Sequence, residues 1–247
     1  MTIQFLKRQN KPDLAYEALK DSSDVTVMFL GGFRSDMMGT KAEFLKEECQ
    51  KLNLSYVRFD YRGHGQSEGK FEEACISDWA EDAYGIFQET VKDDKVLLIG
   101  SSMGGWISLL LALKLPEQLK GLIGLAAAPD FTKWMEEAMT DGQHDQLNAQ
   151  GFFDLPNDYD EPYVITQKLL DDGRQNSLLE NDIDIQCPVR LIQGMKDDAV
   201  EWQTAHRIKN AITGDDVEVI LLEEADHRLS SPDELEVLLA AVKALSA

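Results

Sequence analysis

The chain has 247 residues, of which 43% are hydrophobic, so it is long enough for one α/β domain with a sizeable core. Its formal net charge of -21 argues against a protein that binds the phosphate backbone of nucleic acids or an anionic membrane. No apolar run reaches the length of a membrane-spanning helix, so we expect no stable membrane insertion and a small molecule or another protein as the partner.

The cysteine content predicts a reducing environment. Cys49, Cys75 and Cys187 are an odd number and contain no C-x-x-C pair, which favours neither a disulfide nor a zinc site. The first residues, Met1 to Lys7, lead directly into a strand-like segment and do not resemble a signal peptide. The sequence therefore predicts a cytoplasmic protein.

The first segments of the chain have the pattern of strands. Two strand-like stretches flank the turn-forming residues NKPD, which predicts a β-hairpin over residues 2–20. Val25 to Leu30 is apolar and β-branched, and it predicts a buried strand that ends at Gly31-Gly32-Phe33. Two glycines there let the backbone turn an amide inward, so the N–H of Phe33 is a candidate oxyanion donor. Taken alone, the segment is more typical of a plain strand-to-helix turn, and the serine motif further along the chain is what favours the oxyanion donor.

The next part of the chain predicts helix, strand, turn and helix. Gly39 to Leu52 has amphipathic helical spacing, and Tyr56 to Phe59 has the pattern of a strand. A glycine-rich turn of the form D-x-R-G-x-G-x-S follows over residues 60–67, and Trp79 to Val91 predicts a second amphipathic helix. His64 lies inside the tight turn and ahead of the candidate nucleophile, so we do not expect it to be a catalytic base.

The stretch VLLIGSSMGGWISLLLAL, residues 96–113, carries the strongest chemical signal. Gly100, Ser102 and Gly104 form the pattern G-x-S-x-G between an apolar strand and an apolar helix, the context of a nucleophile elbow. Small neighbours allow the strained turn that exposes the serine hydroxyl, and the amide of Met103 begins the helix beside it. Chance matches to the pattern are common, so the flanking strand and helix are what favour a serine hydrolase.

After a further predicted strand, Gly121 to Ala126, the strand pattern stops for about sixty residues. Such a length is too great for an ordinary connection. We therefore predict an inserted helical cap over residues 129–187 and a hydrolase core over residues 1–128 and 188–247. The apolar residues of the insertion are compatible with an acyl pocket and equally with the cap's own core: Trp134, Met135, Met139, Phe152, Phe153, Leu155, Tyr159 and Tyr163.

The last two strands each precede a candidate catalytic residue. Val189 to Gln193 predicts a strand, and Asp197 in the loop after it is placed to hydrogen-bond a histidine, with Asp198 as its close rival. His227 follows the strand predicted over Val217 to Leu222.

A terminal helix is predicted over Pro232 to Leu245, with Ser230 or Ser231 as its cap.

Two further histidines do not follow a predicted strand. His144 falls in the insertion, and His206 falls in an amphipathic helix where an exposed or packing role is expected.

The alternation of strands and helices predicts a mostly parallel sheet covered on both faces, with functional residues at the carboxyl ends of its strands. The chain order of Ser102, Asp197 and His227 is serine, acid and histidine, which is the order of α/β-hydrolases. The sequence therefore resembles the α/β-hydrolase family along nearly its whole length, from the Gly31-Gly32-Phe33 loop to Asp226-His227.

A narrower resemblance concerns the strings NKPDLAY, MGTKAEF, RFDY, GSSMGGW, GMKDD and DHR, in this order and spacing. They are similar to the group of abhydrolase domain-containing protein ten, which is associated with mitochondrial acyl-thioester and acyl-glucuronide hydrolysis. The resemblance implies an esterase or depalmitoylating thioesterase that acts on small acyl esters, thioesters or acylated proteins. Two positions depart from the group's pattern: Gln193 replaces a frequent histidine and Glu201 replaces a proline, and no mitochondrial transit peptide is visible.

The implied mechanism is acyl transfer through Ser102. His227 would take the serine proton, Asp197 would fix the imidazole tautomer, and the amides of Phe33 and Met103 would hold the oxyanion. Neither a metal nor an organic cofactor is required. A small serine peptidase and a ligand-binding protein without catalysis are the alternatives.

Two arginines adjoin the predicted site. Arg34 and Arg228 could bind an anionic leaving group, although arginines in so acidic a protein more often form surface ion pairs.

Overall fold

Strands from both ends of the chain form one large sheet. The computed structural model describes residues 2–156 and 162–247. In chain order the strands are β1 (Gln4–Leu6), β2 (Leu14–Leu19), β3 (Val25–Leu30), β4 (Ser55–Phe59), β5 (Lys95–Ser101), β6 (Leu119–Leu125), β7 (Phe152–Leu155), β8 (Tyr163–Thr166), β9 (Val189–Gly194) and β10 (Val217–Leu222). Eight of them make the sheet β1-β2-β4-β3-β5-β6-β9-β10, in which β2 pairs antiparallel with β1 and β4 and every other pairing is parallel.

Helices cover both faces of this sheet, as predicted. They are α1 (Thr40–Lys51), α2 (Ile76–Thr90), α3 (Met103–Lys114), α4 (Phe131–Glu137), α5 (Asp141–Gln150), α6 (Gln167–Gln175), α7 (Gln203–Ala211) and α8 (Pro232–Ser246). Alternate residues of a strand point to opposite faces. In β3, Val27 and Phe29 join the core cluster formed with α1 and α8, whereas Met28 and Leu30 join the cluster formed with α2, α3 and α7.

Two helix starts show what local sequence can and cannot predict. α8 begins with a capping box between Ser231 and Glu234, so Ser231 rather than Ser230 is the cap. α2 begins at Ile76, three residues before the predicted start at Trp79. The carboxylate of Asp172 accepts hydrogen bonds from the Ser77 amide at 2.8 Å and from the Ser77 hydroxyl at 2.7 Å. An acceptor 95 residues away in sequence therefore stabilises this helix start, and no local cap pattern marks it.

The segment between β6 and β9 contains strands as well as helices. α4, α5 and α6 lie there, but β7 and β8 also pair antiparallel with each other, which the sequence analysis did not predict. Each has four residues, too few for an alternating pattern to be recognised. Asp130, at the start of the segment, accepts hydrogen bonds of 2.9 Å from the amides of Leu178 and Leu179 near its end. These bonds hold the two ends of the segment together.

Candidate active site

Ser102 occupies a strained turn between β5 and α3. Its φ of 54° is in the left-handed region, which is uncommon for residues other than glycine. A side chain at position 100 would overlap the Gly104 carbonyl, and one at position 104 would overlap the Leu30 carbonyl. Glycine is therefore required at both outer positions of the G-x-S-x-G pattern.

The loops after β5, β9 and β10 bring three predicted residues together. The Ser102 hydroxyl lies 3.2 Å from Nε2 of His227, and Nδ1 of His227 lies 2.9 Å from Oδ2 of Asp197. A carboxylate can only accept a hydrogen bond, so Nδ1 carries the proton and Nε2 is left to accept one from Ser102. The Asp197 carboxylate is fully buried, whereas the His227 ring is 29% exposed.

The Asp197 carboxylate has a full set of hydrogen-bond donors. Its Oδ1 accepts from the amides of Ala199 at 2.9 Å and Val200 at 2.8 Å, and its Oδ2 accepts from Nε2 of Gln193 at 2.8 Å as well as from His227. Burial by itself would raise the pKa of Asp197, but the hydrogen bonds from His227 and the Val200 amide outweigh it and hold the pKa below its usual value. Asp197 is therefore an anion at neutral pH.

Gln193 is a site residue that the sequence analysis did not identify. In the sequence it is a departure from a family pattern, and in the structure it is 1% exposed and donates directly to the acid. A buried polar residue at the end of β9, four positions before an acid, is a signal that could have identified it. Asp198, the rival acid, is exposed and forms none of these bonds.

The other histidines lie away from the Ser102 hydroxyl. His144 and His206 are exposed, and the His206 ring packs edge-on against Trp202 with centroids 5.9 Å apart. His64 is 4% exposed and lies among the rings of Tyr61, Phe71 and Trp79. Burial, together with the nearby Arg34 cation, lowers the pKa of His64 to about 4.

This lowered pKa predicts a contribution of His64 to acid sensitivity. The folded state keeps His64 neutral, while the unfolded state protonates it near pH 6.5, so stability is lost as the pH falls from 6.5 through about 4. Between pH 7 and pH 4.5 the wild type should lose roughly 2 to 3 kcal/mol more unfolding free energy than His64→Gln. Urea denaturation at both pH values measures the difference, and equal losses in the two proteins would contradict the prediction.

The two amides predicted to hold an oxyanion flank Ser102. Met103 is the first residue of α3, and a Cβ built at Gly32, the neighbour of Phe33, would lie 3.4 Å from the Ser102 Cβ. Within residues 2–156 and 162–247, the amides of Phe33 and Met103 donate no hydrogen bond. Both remain available to an oxygen bound beside Ser102.

An apolar cavity of about 320 Å³ opens on one side of Ser102. Four of the residues predicted for an acyl pocket line it, and they are Trp134, Met135, Phe153 and Leu155. Phe33, Phe131 and Ala138 complete much of the wall. Met139, Phe152 and Tyr163 are not among its lining residues, and Tyr159 lies outside the described part of the chain.

A second cavity of about 380 Å³ lies beside Ser102 and His227 and has a polar wall. Arg34, Lys41 and Arg228 line it together with Asp36. Burial lowers the pKa of Lys41 to about 8, and its ammonium donates to the Arg228 carbonyl oxygen. The Arg34 guanidinium forms an ion pair of 2.9 Å with Glu72 and lies 3.8 Å from the centre of the Phe71 ring.

Known proteins resemble this chain over nearly its full length. A family described as serine aminopeptidase, S33, matches residues 21–143. A protein of Bos taurus named "Palmitoyl-protein thioesterase ABHD10, mitochondrial" is 33% identical over 243 residues, which cover 98% of this chain and 79% of the relative. The chain belongs to the α/β-hydrolase family. Within it, the chain belongs to the group of abhydrolase domain-containing protein 10.

Solved structures of α/β-hydrolases agree with this assignment. The crystal structure of a protein from Agrobacterium vitis S4 is 35% identical and superposes with a TM-score of 0.93, covering 100% of this chain and 98% of that chain. The mouse alpha/beta hydrolase domain-containing protein 10 is 32% identical, with a TM-score of 0.91 and coverage of 99% and 98%. The predicted α/β-hydrolase fold is confirmed.

The predicted cytoplasmic location is wrong. The bovine relative is named as a mitochondrial protein, and this contradicts the prediction. Free thiols indicate a reducing compartment, but they do not distinguish one such compartment from another. No helix in the part of the chain that the structure describes is long and apolar enough to cross a membrane.

Proposed function

We propose that this α/β-hydrolase cleaves esters or thioesters of hydrophobic acids through an acyl-Ser102 intermediate. The observation that carries the proposal is the hydrogen-bond chain from Ser102 through His227 to Asp197, which lies where an apolar cavity and a polar cavity meet. The pattern of a hydroxyl, an imidazole and a buried carboxylate activates serine as a nucleophile.

The proposed reaction has two halves that use the same groups. Nε2 of His227 takes the Ser102 proton as the oxygen attacks the substrate carbonyl, and then gives that proton to the departing alcohol or thiol. Water next attacks the acyl-serine, again losing a proton to His227, and Ser102 is restored with release of the acid. Asp197 remains ionised throughout and accepts the hydrogen bond from the protonated Nδ1 of His227.

The amides of Phe33 and Met103 stabilise the tetrahedral intermediates. Both belong to residues that line the apolar cavity beside Ser102. A negatively charged oxygen is stabilised more strongly by two fixed N–H groups in a partly desolvated site than by hydrogen bonds to water. No metal or organic cofactor has a part in these steps.

The apolar cavity suits the acyl group of the substrate. Apart from Ser102, His227 and Gln143, the described residues that line it are apolar, and none of them is Asp, Glu, Lys or Arg, so the wall offers little to a polar group and buries a hydrocarbon chain well. We propose that residues 129–187 act as the cap that covers this group, because α4 and β7 supply much of the wall. A relative named as a palmitoyl-protein thioesterase is consistent with such a substrate.

An aminopeptidase is the second candidate, because the matching family is described as one. Such an enzyme would have to hold the substrate's α-ammonium group beside the scissile carbonyl, where an acidic residue is the expected partner. Among the described residues, no Asp or Glu lines the apolar cavity, and the carboxylate that lines the polar cavity, Asp36, shares that wall with the cations of Arg34, Lys41 and Arg228. The ester or thioester substrate is therefore favoured over a peptide.

The function is tested with p-nitrophenyl esters from acetyl to palmitoyl, palmitoyl-cysteine thioester and prolyl p-nitroanilide. We expect kcat/KM to rise with acyl length over the shorter esters, by roughly fourfold for each buried methylene. The variant Ala138→Phe tests the role of the cavity, because the larger side chain fills part of it. It should lower kcat/KM for p-nitrophenyl octanoate at least tenfold and change kcat/KM for p-nitrophenyl acetate little.

Three results would contradict the proposal. They are preferred cleavage of prolyl p-nitroanilide, equal loss on short and long esters in Ala138→Phe, and the absence of both hydrolysis and fluorophosphonate labelling in the wild type. The last result would instead support the ligand-binding alternative without catalysis.

A further inference from the structure

The glycine-rich turn over residues 60–67 has no part in the proposed reaction, although it contains a buried histidine. Its residues form hydrogen bonds with the loop that follows β3. We call this loop, residues 31–37, the oxyanion loop. His64 contacts this loop at the residue next to the proposed donor Phe33: the amide of Arg34 donates to Nε2 of His64 at 3.2 Å.

The tautomer of His64 is determined by its two partners. Nδ1 lies 3.2 Å from the carbonyl oxygen of Arg62, which can only accept, so Nδ1 carries the proton. Nε2 therefore has the free lone pair that the Arg34 amide needs. Burial and the Arg34 cation lower the pKa of His64 to about 4, so this acceptor persists through the neutral range.

The oxyanion loop contains a turn that needs such support. The carbonyl oxygen of Gly32 accepts from the Ser35 amide at 3.2 Å and from the Ser35 hydroxyl at 2.8 Å, with Phe33 and Arg34 as the central residues. Arg34 has a φ of 57°, a strained value for a residue with a side chain. The bond from its amide to His64 opposes relaxation of this backbone.

The direction of the Phe33 N–H follows from the same turn. A trans peptide places the N–H of Phe33 opposite the carbonyl of Gly32. Ser35 holds that carbonyl, so the N–H points away from Ser35 for as long as the turn keeps its shape. Changes at the neighbouring Phe33–Arg34 peptide would rotate this donor.

The remainder of the glycine-rich turn is itself firmly held. Asp60, which is 2% exposed, accepts from the Met37 amide at the end of the oxyanion loop at 2.7 Å and from the Gln66 amide at 2.8 Å. The buried carboxylate of Asp82 accepts from the Arg62 amide at 2.8 Å and from its guanidinium. His64 and Asp60 thus connect the oxyanion loop to the glycine-rich turn, which is itself held by the hydrogen bonds of Asp82.

We propose that His64 is a positioning residue that orients the oxyanion loop through the amide of Arg34. This inference rests on the proposed function, because it assigns Phe33 as an oxyanion donor. The D-x-R-G-x-G-x-S turn then supports catalysis although none of its residues lines either of the two cavities beside Ser102.

The first test compares His64→Gln with His64→Asn. A glutamine oxygen reaches the position of Nε2 and can accept from the Arg34 amide, whereas an asparagine reaches only the position of Nδ1. With p-nitrophenyl butyrate, kcat should fall about 10- to 100-fold in His64→Asn, less than the loss typical of deleting an oxyanion donor, with little change in KM. His64→Gln should recover most of this loss, and turnover in His64→Asn equal to or above that of His64→Gln would overturn the proposal.

The second test separates positioning from loss of structure. Butylboronic acid forms a tetrahedral adduct on Ser102 that places an oxygen where the oxyanion forms, whereas hexane can fill the apolar cavity but has no oxygen to place there. Affinity for the boronic acid should fall in His64→Asn by the same factor as kcat, while hexane affinity is unchanged. Equal losses for the two ligands, or no loss for the boronic acid, would overturn the proposal.

Two controls complete the design. Ile86→Ala, in the core on α2, should lower thermal stability and leave the ratio of the two affinities unchanged. The ¹⁵N shifts of the His64 ring in the wild type should show a protonated Nδ1, and the opposite tautomer would overturn the proposal. Absence of wild-type turnover and labelling marks failure of the proposed function instead, and the positioning role would fall with it.

Discussion

Ser102→Ala is expected to lower kcat for ester and thioester hydrolysis by about 10⁶-fold. The variant loses the attacking oxygen but keeps the amides of Phe33 and Met103 and the apolar cavity, so substrate should still bind with a similar KM. Residual turnover of about 10³-fold above the rate in water is expected from binding and oxyanion stabilisation alone. Initial rates with p-nitrophenyl octanoate, together with intact-protein mass after fluorophosphonate treatment, measure both effects.

Ser101→Ala is the matched control for this substitution. Ser101 ends β5 directly before the nucleophile, and its hydroxyl takes no part in the hydrogen bonds that join Ser102, His227 and Asp197. It should keep wild-type labelling and kcat within about threefold, as most substitutions outside such networks do. Full activity in Ser102→Ala, or labelling that persists in it, would remove Ser102 from the mechanism.

The positions of the three catalytic candidates could be predicted because each depends on local pattern and on topology. Ser102, Asp197 and His227 each follow an apolar strand, and parallel strands end at the same edge of the sheet. A side chain in the loop after one strand is therefore brought close to those in the loops after its neighbours. The sequence needs to specify only strand order and loop length for these three to meet.

Features that depend on distant partners could not be predicted in the same way. The start of α2 depends on Asp172 in the insertion, which lies 95 residues further along the chain than Ser77. Among the described residues, the four-residue strands β7 and β8 pair only with each other, so their stability comes from tertiary contacts rather than from their own pattern. Sequence patterns therefore do not predict short strands or the hydrogen bonds that side chains make to distant residues.

His64 shows a different limit. The sequence pattern predicts that a histidine in a glycine-rich turn ahead of the nucleophile is not the base, and in the structure His227 is the histidine within hydrogen-bond distance of the Ser102 hydroxyl. Its bond to the Arg34 amide joins residues 30 positions apart, and spacing alone does not predict it. The chemistry of the reacting atoms is therefore easier to predict than the contacts that hold them in place.

Asp197→Asn is expected to lower kcat by about 10⁴-fold with little effect on folding, because the hydrogen bonds around the side chain determine how the amide must sit. Oδ1 of Asp197 accepts from the amides of Ala199 and Val200, so the oxygen of an asparagine is held on that side. Its NH₂ group then replaces Oδ2 and meets two donors, Nε2 of Gln193 and the protonated Nδ1 of His227.

Gln193 can relieve its part of that conflict by rotating its side-chain amide, whereas His227 can relieve its part only by moving its proton to Nε2, which then donates and can no longer accept the proton of Ser102. The expected result is a large loss of kcat near neutral pH with KM and thermal stability close to those of the wild type. Asp198→Asn is the matched control, because it changes the adjacent exposed carboxylate and should retain kcat within about threefold. A larger loss of kcat in Asp198→Asn than in Asp197→Asn would show that Asp198, and not Asp197, is the catalytic acid. The expected order of losses would instead show that the buried hydrogen bonds of Asp197 set the tautomer of His227.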